Sequence, residues 1–197
     1  MTVKVKICGI TNIEDAILAE NLGADFIGLI FAKKSPRYVS PEQAKKIVSA
    51  LSSAKAVGVF VEQDHQETEN IAENCGLWGI QHYSYFDTPF QNYAYIYAIR
   101  MGAPDAPKDF TFQNYDYLLI DSYDEKIHGG TGKTFDWSKI PLDRDRVFLA
   151  GGLGPENICA AARENVFSLD LSSSVEAHPG KKDPEKLKSL FDNLKNA

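Results

Sequence analysis

The sequence predicts a compact (β/α)8 barrel of the TIM-barrel class, with some of its helices shortened. Three observations carry this expectation. Eight short apolar runs rich in β-branched residues recur along the chain, amphipathic stretches separate many of them, and each interval leaves room for a parallel crossover.

The apolar runs fall at residues 3–8, 25–31, 54–61, 77–82, 93–100, 115–121, 146–150 and 166–171. Short runs of this kind suit strands buried on both faces. Their starts are 22, 29, 23, 16, 22, 31 and 20 residues apart. After a strand of about six residues, every interval still admits the dozen or so that a parallel crossover needs, the fourth only at the limit. A doubly wound open sheet has the same alternation and stands as the alternative, because periodicity alone does not report closure.

Helix signals sit between the runs. The stretch 13–22 follows Thr11 and Asn12, either able to cap it, and stops at Gly23. The stretch 41–51 follows Ser40 with Pro41 in its first turn, and 155–163 and 184–194 open on the same Pro-Glu pair. The segments after the fourth, fifth and sixth strands read as weaker helices; 105–113, for example, holds Pro107 and several aromatics.

Composition narrows the class. The 197 residues contain no low-complexity tract, no Ser/Gly linker and no close repeat, so one domain over 1–197 is expected. That length is short of the roughly 250 residues usual for an eight-fold barrel, which is why trimmed helices are part of the expectation. No apolar run approaches the roughly 18 residues a bilayer requires, and the N-terminus lacks the core and cleavage site of a signal peptide. A cytoplasmic protein without a membrane partner is expected. Lys and Arg total 21 against 27 Asp and Glu, a net charge of −6, which argues against a nucleic-acid partner. Cys8, Cys75 and Cys159 are odd in number and widely spaced, so they make neither a disulfide framework nor a zinc pattern. No two histidines have metal-ligand spacing, and no metal or other cofactor is expected.

In such a barrel the chemistry lies where the strands end. The first strand ends in Cys8 and Gly9, and the second runs into Lys33, Lys34 and Arg37. The fourth ends at Gln81 and His82, the sixth at Asp121, the seventh in Gly151, Gly152, Leu153 and Gly154, and the eighth in Ser172, Ser173 and Ser174. Cys8 reads either as a small buried hydrophobe or, if exposed to the pocket with a lowered pKa, as a thiolate base. Asp121 reads as a loop-starting carboxylate or, with a raised pKa, as a general acid. One acid and one base are what an isomerisation by proton transfer requires. The glycine turn before Pro155, Glu156 and Asn157 reads as a simple tight turn or as an anion site at a helix start, and the neighbouring serine turn favours the anion. Arg37 reads as solvated surface or as a two-pronged partner for a carboxylate. The expected ligand is therefore a small molecule carrying a carboxylate and a phosphate.

Among the histidines, His65 and His178 lie in polar segments and are expected in solvent, while His82 is placed to line the pocket. The Gly132-Lys133-Thr134 end of a P-loop is present, but Ile127 stands where that motif needs its first glycine. The segment, which includes His128, reads instead as a loop covering the site.

KICGIT with Cys8, SPRYVSPEQA with Arg37, YLLID with Asp121, GGTGKTFDW, LAGGLGPENI, and DLSSSVE followed by PGKKD together resemble the phosphoribosylanthranilate isomerase family. The resemblance runs in order over nearly the whole chain. It implies a small β/α barrel performing an Amadori rearrangement in tryptophan biosynthesis, with Cys8 as general base and Asp121 as general acid. It further implies Arg37 on the anthranilate carboxylate, Gln81 in the substrate pocket, and backbone around Gly152, Ser173 and Ser174 on the phosphate. The chain departs from the family pattern at Tyr83 and Ser84, where histidine and glycine are usual, and at Ser174, usually glycine. These departures motivate the alternative of a non-catalytic phosphosugar-binding relative. Either a monomer or a homodimer fits.

Overall fold

The computed structural model describes residues 3–101, 114–122, 137, 140 and 143–195. Eight strands form where the apolar runs predict them, within two residues at either end: β1 (Lys4–Cys8), β2 (Phe26–Ile30), β3 (Lys55–Phe60), β4 (Gly79–His82), β5 (Ala94–Met101), β6 (Tyr117–Ser122), β7 (Val147–Leu149) and β8 (Ser168–Leu171). They close into a barrel in sequence order. Closure is made by β1, which pairs in parallel with β2 on one side and β8 on the other, so that Lys6 lies opposite both Phe26 and Asp170. The open-sheet alternative is thereby excluded.

Strand alternation sorts the apolar residues into two clusters. One, including Ile7, Ile27, Leu118, Leu149 and Leu169, packs outward with helical residues such as Ala44, Ile47 and Leu190. The other, Phe26, Val57, Ile96, Ala98, Leu119, Phe148 and Ala150, fills the barrel interior. Its floor is aromatic: the Phe26 ring lies 5.1 Å from Trp78, 5.4 Å from Phe148 and 6.0 Å from Phe167. Above this floor the interior turns polar.

Among the described residues, five helices cover the outside: α1 (Ile13–Leu22), α2 (Pro41–Ala50), α3 (His65–Cys75), α4 (Ile158–Ala162) and α5 (Pro184–Lys195). Asn12, Ser40 and Asp64 cap the first three by accepting from backbone amides three residues on, relieving donors that the helix leaves unpaired. Little in the hydrophobic pattern announces α3, because its buried face is only Thr68, Ala72 and Cys75.

Two expectations need correction, and one feature is added to them. No helix joins β4 to β5; residues 83–93 form an irregular loop whose Phe86 and Phe90 pack on each other and around His65. Helix α4 has only five residues, preceded by a turn, rather than the nine of 155–163. Beyond β8 the chain makes a 3-10 turn (Ser173–Val175) and a short antiparallel hairpin, β9 (Glu176–His178) with β10 (Lys181–Lys182), which the hydrophobic pattern does not signal. The expected segments 105–113 and 128–134 lie outside the described residues. No described helix is long and apolar enough to cross a membrane.

Candidate active site

Cys8 is the last residue of β1 and is buried at the barrel mouth. It stands opposite Gly28 of β2, and a Cβ built on Gly28 would come within 2.8 Å of the Cys8 Sγ. The glycine therefore makes the space the thiol occupies. Burial pushes the Cys8 pKa up; the Lys6 ammonium pulls it down, Asp170 pushes it up again, and Lys182 pulls it down. The net direction is upward, correcting the expectation of a lowered value: desolvation outweighs the two cations.

Two residues earlier on the same strand face, Lys6 is fully buried. Its Nζ donates to Gln81 Oε1 at 2.9 Å and to both carboxylate oxygens of Asp170 at 3.0 Å. Burial would lower the Lys6 pKa, but Asp170 and Cys8 outweigh it and leave the pKa raised, so the group is a cation. Gln81 is thus brought into the site as expected, with its carbonyl oxygen engaged by Lys6.

Asp121 ends the apolar part of β6 and lies in register with Arg100 of β5. Burial, helped by the nearby Asp170 charge, lifts its pKa from 3.8 to about 6, while Arg100 and Lys6 pull it back. This is the direction a general acid needs. Just beyond β4, the Tyr83 ring lies 4.8 Å beneath the Arg100 guanidinium. Burial and the charges of Asp121 and Cys8 push the Tyr83 pKa up, so its phenol stays neutral.

Arg37 is fixed by an acid the sequence pattern did not single out. Its Nε donates to Glu176 Oε1 at 2.8 Å and its Nη2 to Glu176 Oε2 at 2.7 Å. The stem passes Gly9, whose φ of +76° favours glycine and where a Cβ would meet Arg37 Cδ at 2.6 Å. Buried Lys182 completes the corner, donating to Glu176 Oε1 at 3.0 Å, to the Cys8 carbonyl at 2.7 Å and to the Ser172 carbonyl at 3.0 Å. The basic cluster of the sequence therefore splits. Lys34 is exposed and pairs with Glu62, while Arg37 is tied into the site. Glu176 uses one edge of the guanidinium; a carboxylate arriving at the Nη1/Nη2 edge would meet a second two-pronged face. SSSVE and PGKKD carried the signal for Glu176 and Lys182, but neither residue stood out from its neighbours.

At the other turns, Gly151 and Gly152 hold φ of 87° and 64°, and Gly152 is exposed. The Asn157 side chain clips this turn, accepting from the Gly154 amide at 2.9 Å and donating to the Gly152 carbonyl at 2.8 Å. At the turn before α4, the Gly154 amide is thus already engaged by the Asn157 side chain. Ser173 is exposed, and the buried Ser174 hydroxyl has no hydrogen-bond partner among the described residues. Ser174 does not adopt a positive φ, so the turn does not require the family's glycine.

His82 does not line the pocket. It is fully buried on the outer side, accepts from the Ser84 amide at Nδ1 and faces the Gln63 carbonyl with Nε2 at 3.0 Å. His65 is not simply solvated either: its ring stacks on Phe90 with centroids 4.3 Å apart. His178 is exposed, as expected.

The family model described as N-(5'phosphoribosyl)anthranilate (PRA) isomerase matches residues 5–193. The N-(5'-phosphoribosyl)anthranilate isomerase of Pseudomonas syringae pv. tomato is 42% identical over 194 residues, covering 94% of each chain. Among solved structures, phosphoribosyl anthranilate isomerase from Thermus thermophilus aligns with a TM-score of 0.82 at 35% identity, covering 98% of this chain and 99% of its own. Another, a phosphoribosyl anthranilate isomerase in complex with reduced 1-(o-carboxyphenylamino)-1-deoxyribulose 5-phosphate, aligns with a TM-score of 0.76 at 32% identity, covering 99% and 100%.

Proposed function

The chain belongs to the phosphoribosylanthranilate isomerase family, and we propose that it carries out the family's Amadori rearrangement with Cys8 as general base and Asp121 as general acid. The family's reaction converts N-(5-phosphoribosyl)anthranilate to 1-(2-carboxyphenylamino)-1-deoxyribulose 5-phosphate, a step of tryptophan biosynthesis. The observation that carries the assignment is positional. Cys8 ends β1 and Asp121 stands one residue before the end of β6, at the same mouth of a closed parallel barrel, and the Asp121 pKa is raised to about 6.

The chemistry follows from these two groups. Asp121 gives its proton to the ribose ring oxygen; the C1′–O bond breaks as the anthranilate nitrogen's lone pair forms a protonated Schiff base. The Cys8 thiolate then takes the C2′ proton, and the released electron pair forms the C1′–C2′ double bond of a neutral enolamine. Tautomerisation to the C2′ ketone completes the rearrangement. Groups with pKa values near the working pH transfer protons best, which suits Asp121.

The free edge of Arg37 would grip the anthranilate carboxylate, with Gln81 in the pocket below. The phosphate would sit against Gly152, Ser173 and Ser174, where the Ser174 hydroxyl has a bond to give. All these residues come from one chain, so the site is compatible with a monomer or a homodimer. A small-molecule partner and a place in the cytoplasm suit a biosynthetic isomerase family, and the net charge of −6 speaks against a nucleic-acid partner.

Cys8→Ala and Asp121→Asn test the assignment. Each should lower kcat by about 10²- to 10⁴-fold while a product analogue still binds. Wild-type turnover by Cys8→Ala would overturn the base assignment. Undetectable turnover by the unaltered protein, with analogue binding intact, would favour the non-catalytic phosphosugar-binding reading motivated by Tyr83, Ser84 and Ser174.

A further inference from the structure

We propose that Lys6 is a positioning residue of the reaction: its buried ammonium, pinned by Asp170 and Gln81, holds a fixed positive charge beneath the Cys8 sulfur, which must become negative. The proposal rests on the reading of Cys8 as base. It starts from an anomaly of placement. Strand β1 reads Lys4, Lys6, Cys8 along its inward face, and Lys6 sits fully buried directly above the apolar and aromatic floor of the barrel, with Phe26 opposite it on β2. Burying an ammonium is costly, and a buried ion pair is often replaceable by packed apolar side chains without loss of stability. The pair is therefore not explained by stability alone.

The geometry says what it does instead. Asp170 and Gln81 take the Lys6 ammonium from two sides at 2.9–3.0 Å, so its charge has one position. The Lys6 ammonium lies two residues before Cys8 on the same strand face and favours the charged thiolate, and it acts on Asp121 as well. The other groups facing the sulfur are Lys182, Arg37, Asp170 and Tyr83. Lys182 and Arg37 share the Glu176 carboxylate, and Tyr83 is neutral. Lys6 is thus the cation set most directly on the thiol, and Asp170 is the anion that opposes it. Both act on both catalytic groups, with opposite sign.

That opposition supplies the test. The thiolate of Cys8 is titrated by ultraviolet absorbance, each protein read against its own Cys8→Ser counterpart, and kcat/KM is followed over the same pH range. In Lys6→Met the thiolate midpoint should rise by about one pH unit or more, with kcat/KM about tenfold lower at neutral pH. In Asp170→Asn the midpoint should fall. A merely structural role would reduce the folded fraction or kcat in both variants without moving either midpoint. A folded Lys6→Met with an unmoved midpoint overturns the proposal. If Lys6→Met does not fold, Asp170→Asn decides: a lower midpoint supports the proposal, and an unmoved or higher one overturns it. Failure of the base assignment is recognisable separately, because Cys8→Ala would then keep full turnover while Lys6→Met still shifted the thiolate titration.

Discussion

Arg37 and Glu176, 139 residues apart in sequence, meet through two hydrogen bonds of 2.8 and 2.7 Å that hold the guanidinium in one orientation. Because Glu176 also takes Lys182, a single buried carboxylate balances two cations at the lip of the barrel. Glu176→Gln keeps the shape and removes the charge, loosening the guanidinium. Arg37 addresses a substrate carboxylate remote from the reacting carbons, so KM should rise about tenfold or more while kcat changes less. A drop confined to kcat would refute this role.

The same substitution has a pH signature in stability. Burial alone would raise the Glu176 pKa, but Arg37 and Lys182 outweigh it and hold the value below the ordinary 4.5. A carboxyl depressed in the folded state contributes stability that is present above its unfolded pKa and is lost as pH falls through the folded value. The wild type should therefore exceed Glu176→Gln in urea resistance at pH 7, and the difference should shrink as the pH falls below 4.5. A difference independent of pH would show that packing, not charge, is what the variant removes.

A second pH prediction concerns Asp121 and the residue that departs from the family pattern. The productive enzyme has Asp121 protonated and Cys8 ionised, although Asp121 titrates near 6 and the thiol above its ordinary 9.0. The kcat/KM profile should then be flat between two limbs, the acid limb near 6 belonging to Asp121 and the basic limb to Cys8. The Tyr83 ring lies under Arg100, the register partner of Asp121, and its phenol feels the Asp121 charge. In Tyr83→Ala, water reaches Asp121, burial weakens, and the acid limb should move below 6. The plateau of kcat/KM should fall with it, by about tenfold if the limb reaches about pH 5, because the protonated fraction of Asp121 falls in proportion. An acid limb that stayed at 6 would mean that Tyr83 does not shield the acid.

Much of this site was legible because strand ends are where apolar runs stop. Cys8, Gln81, Asp121 and the serine turn each sit at such a boundary, and parallel closure gathers all of them at one mouth. Lys6 and Asp170 were harder to read because each lies inside an apolar run, where a lone charge looks like a solvated face. Only the barrel register, which sets Lys6 opposite Asp170, reveals the pair. Arg37–Glu176 was illegible for another reason: its partners lie on the second and last crossings, and no local pattern joins them. The loop at 83–93 replaces the expected weak helix because its Phe90 packs on His65 and Tyr95 across the connection. Helix α3 escaped notice since small residues leave little hydrophobic signal.

Gly28 offers the sharpest separation of stability from positioning. An added Cβ there would lie 2.8 Å from the Cys8 Sγ and 2.9 Å from its Cα, so both the thiol and the β1 backbone must shift. Overpacking of this kind typically costs about 1–3 kcal/mol, and for a chain of this size roughly 2–4 °C of Tm accompanies each kcal/mol. Displacing a reacting group by about 1 Å can cost about 10²-fold in rate, so Gly28→Ala should lose kcat well beyond its loss of folded protein. The control is Gly76→Ala at the end of α3. Its φ of +68° also penalises a side chain, but nothing lies within 4 Å of the added Cβ. That variant should lose about 1 kcal/mol of stability to backbone strain while keeping wild-type kcat at temperatures where it is folded. If Gly28→Ala behaved like Gly76→Ala, with lower Tm but unchanged kcat, the glycine would be only a packing residue and the thiol's position would not be set by it.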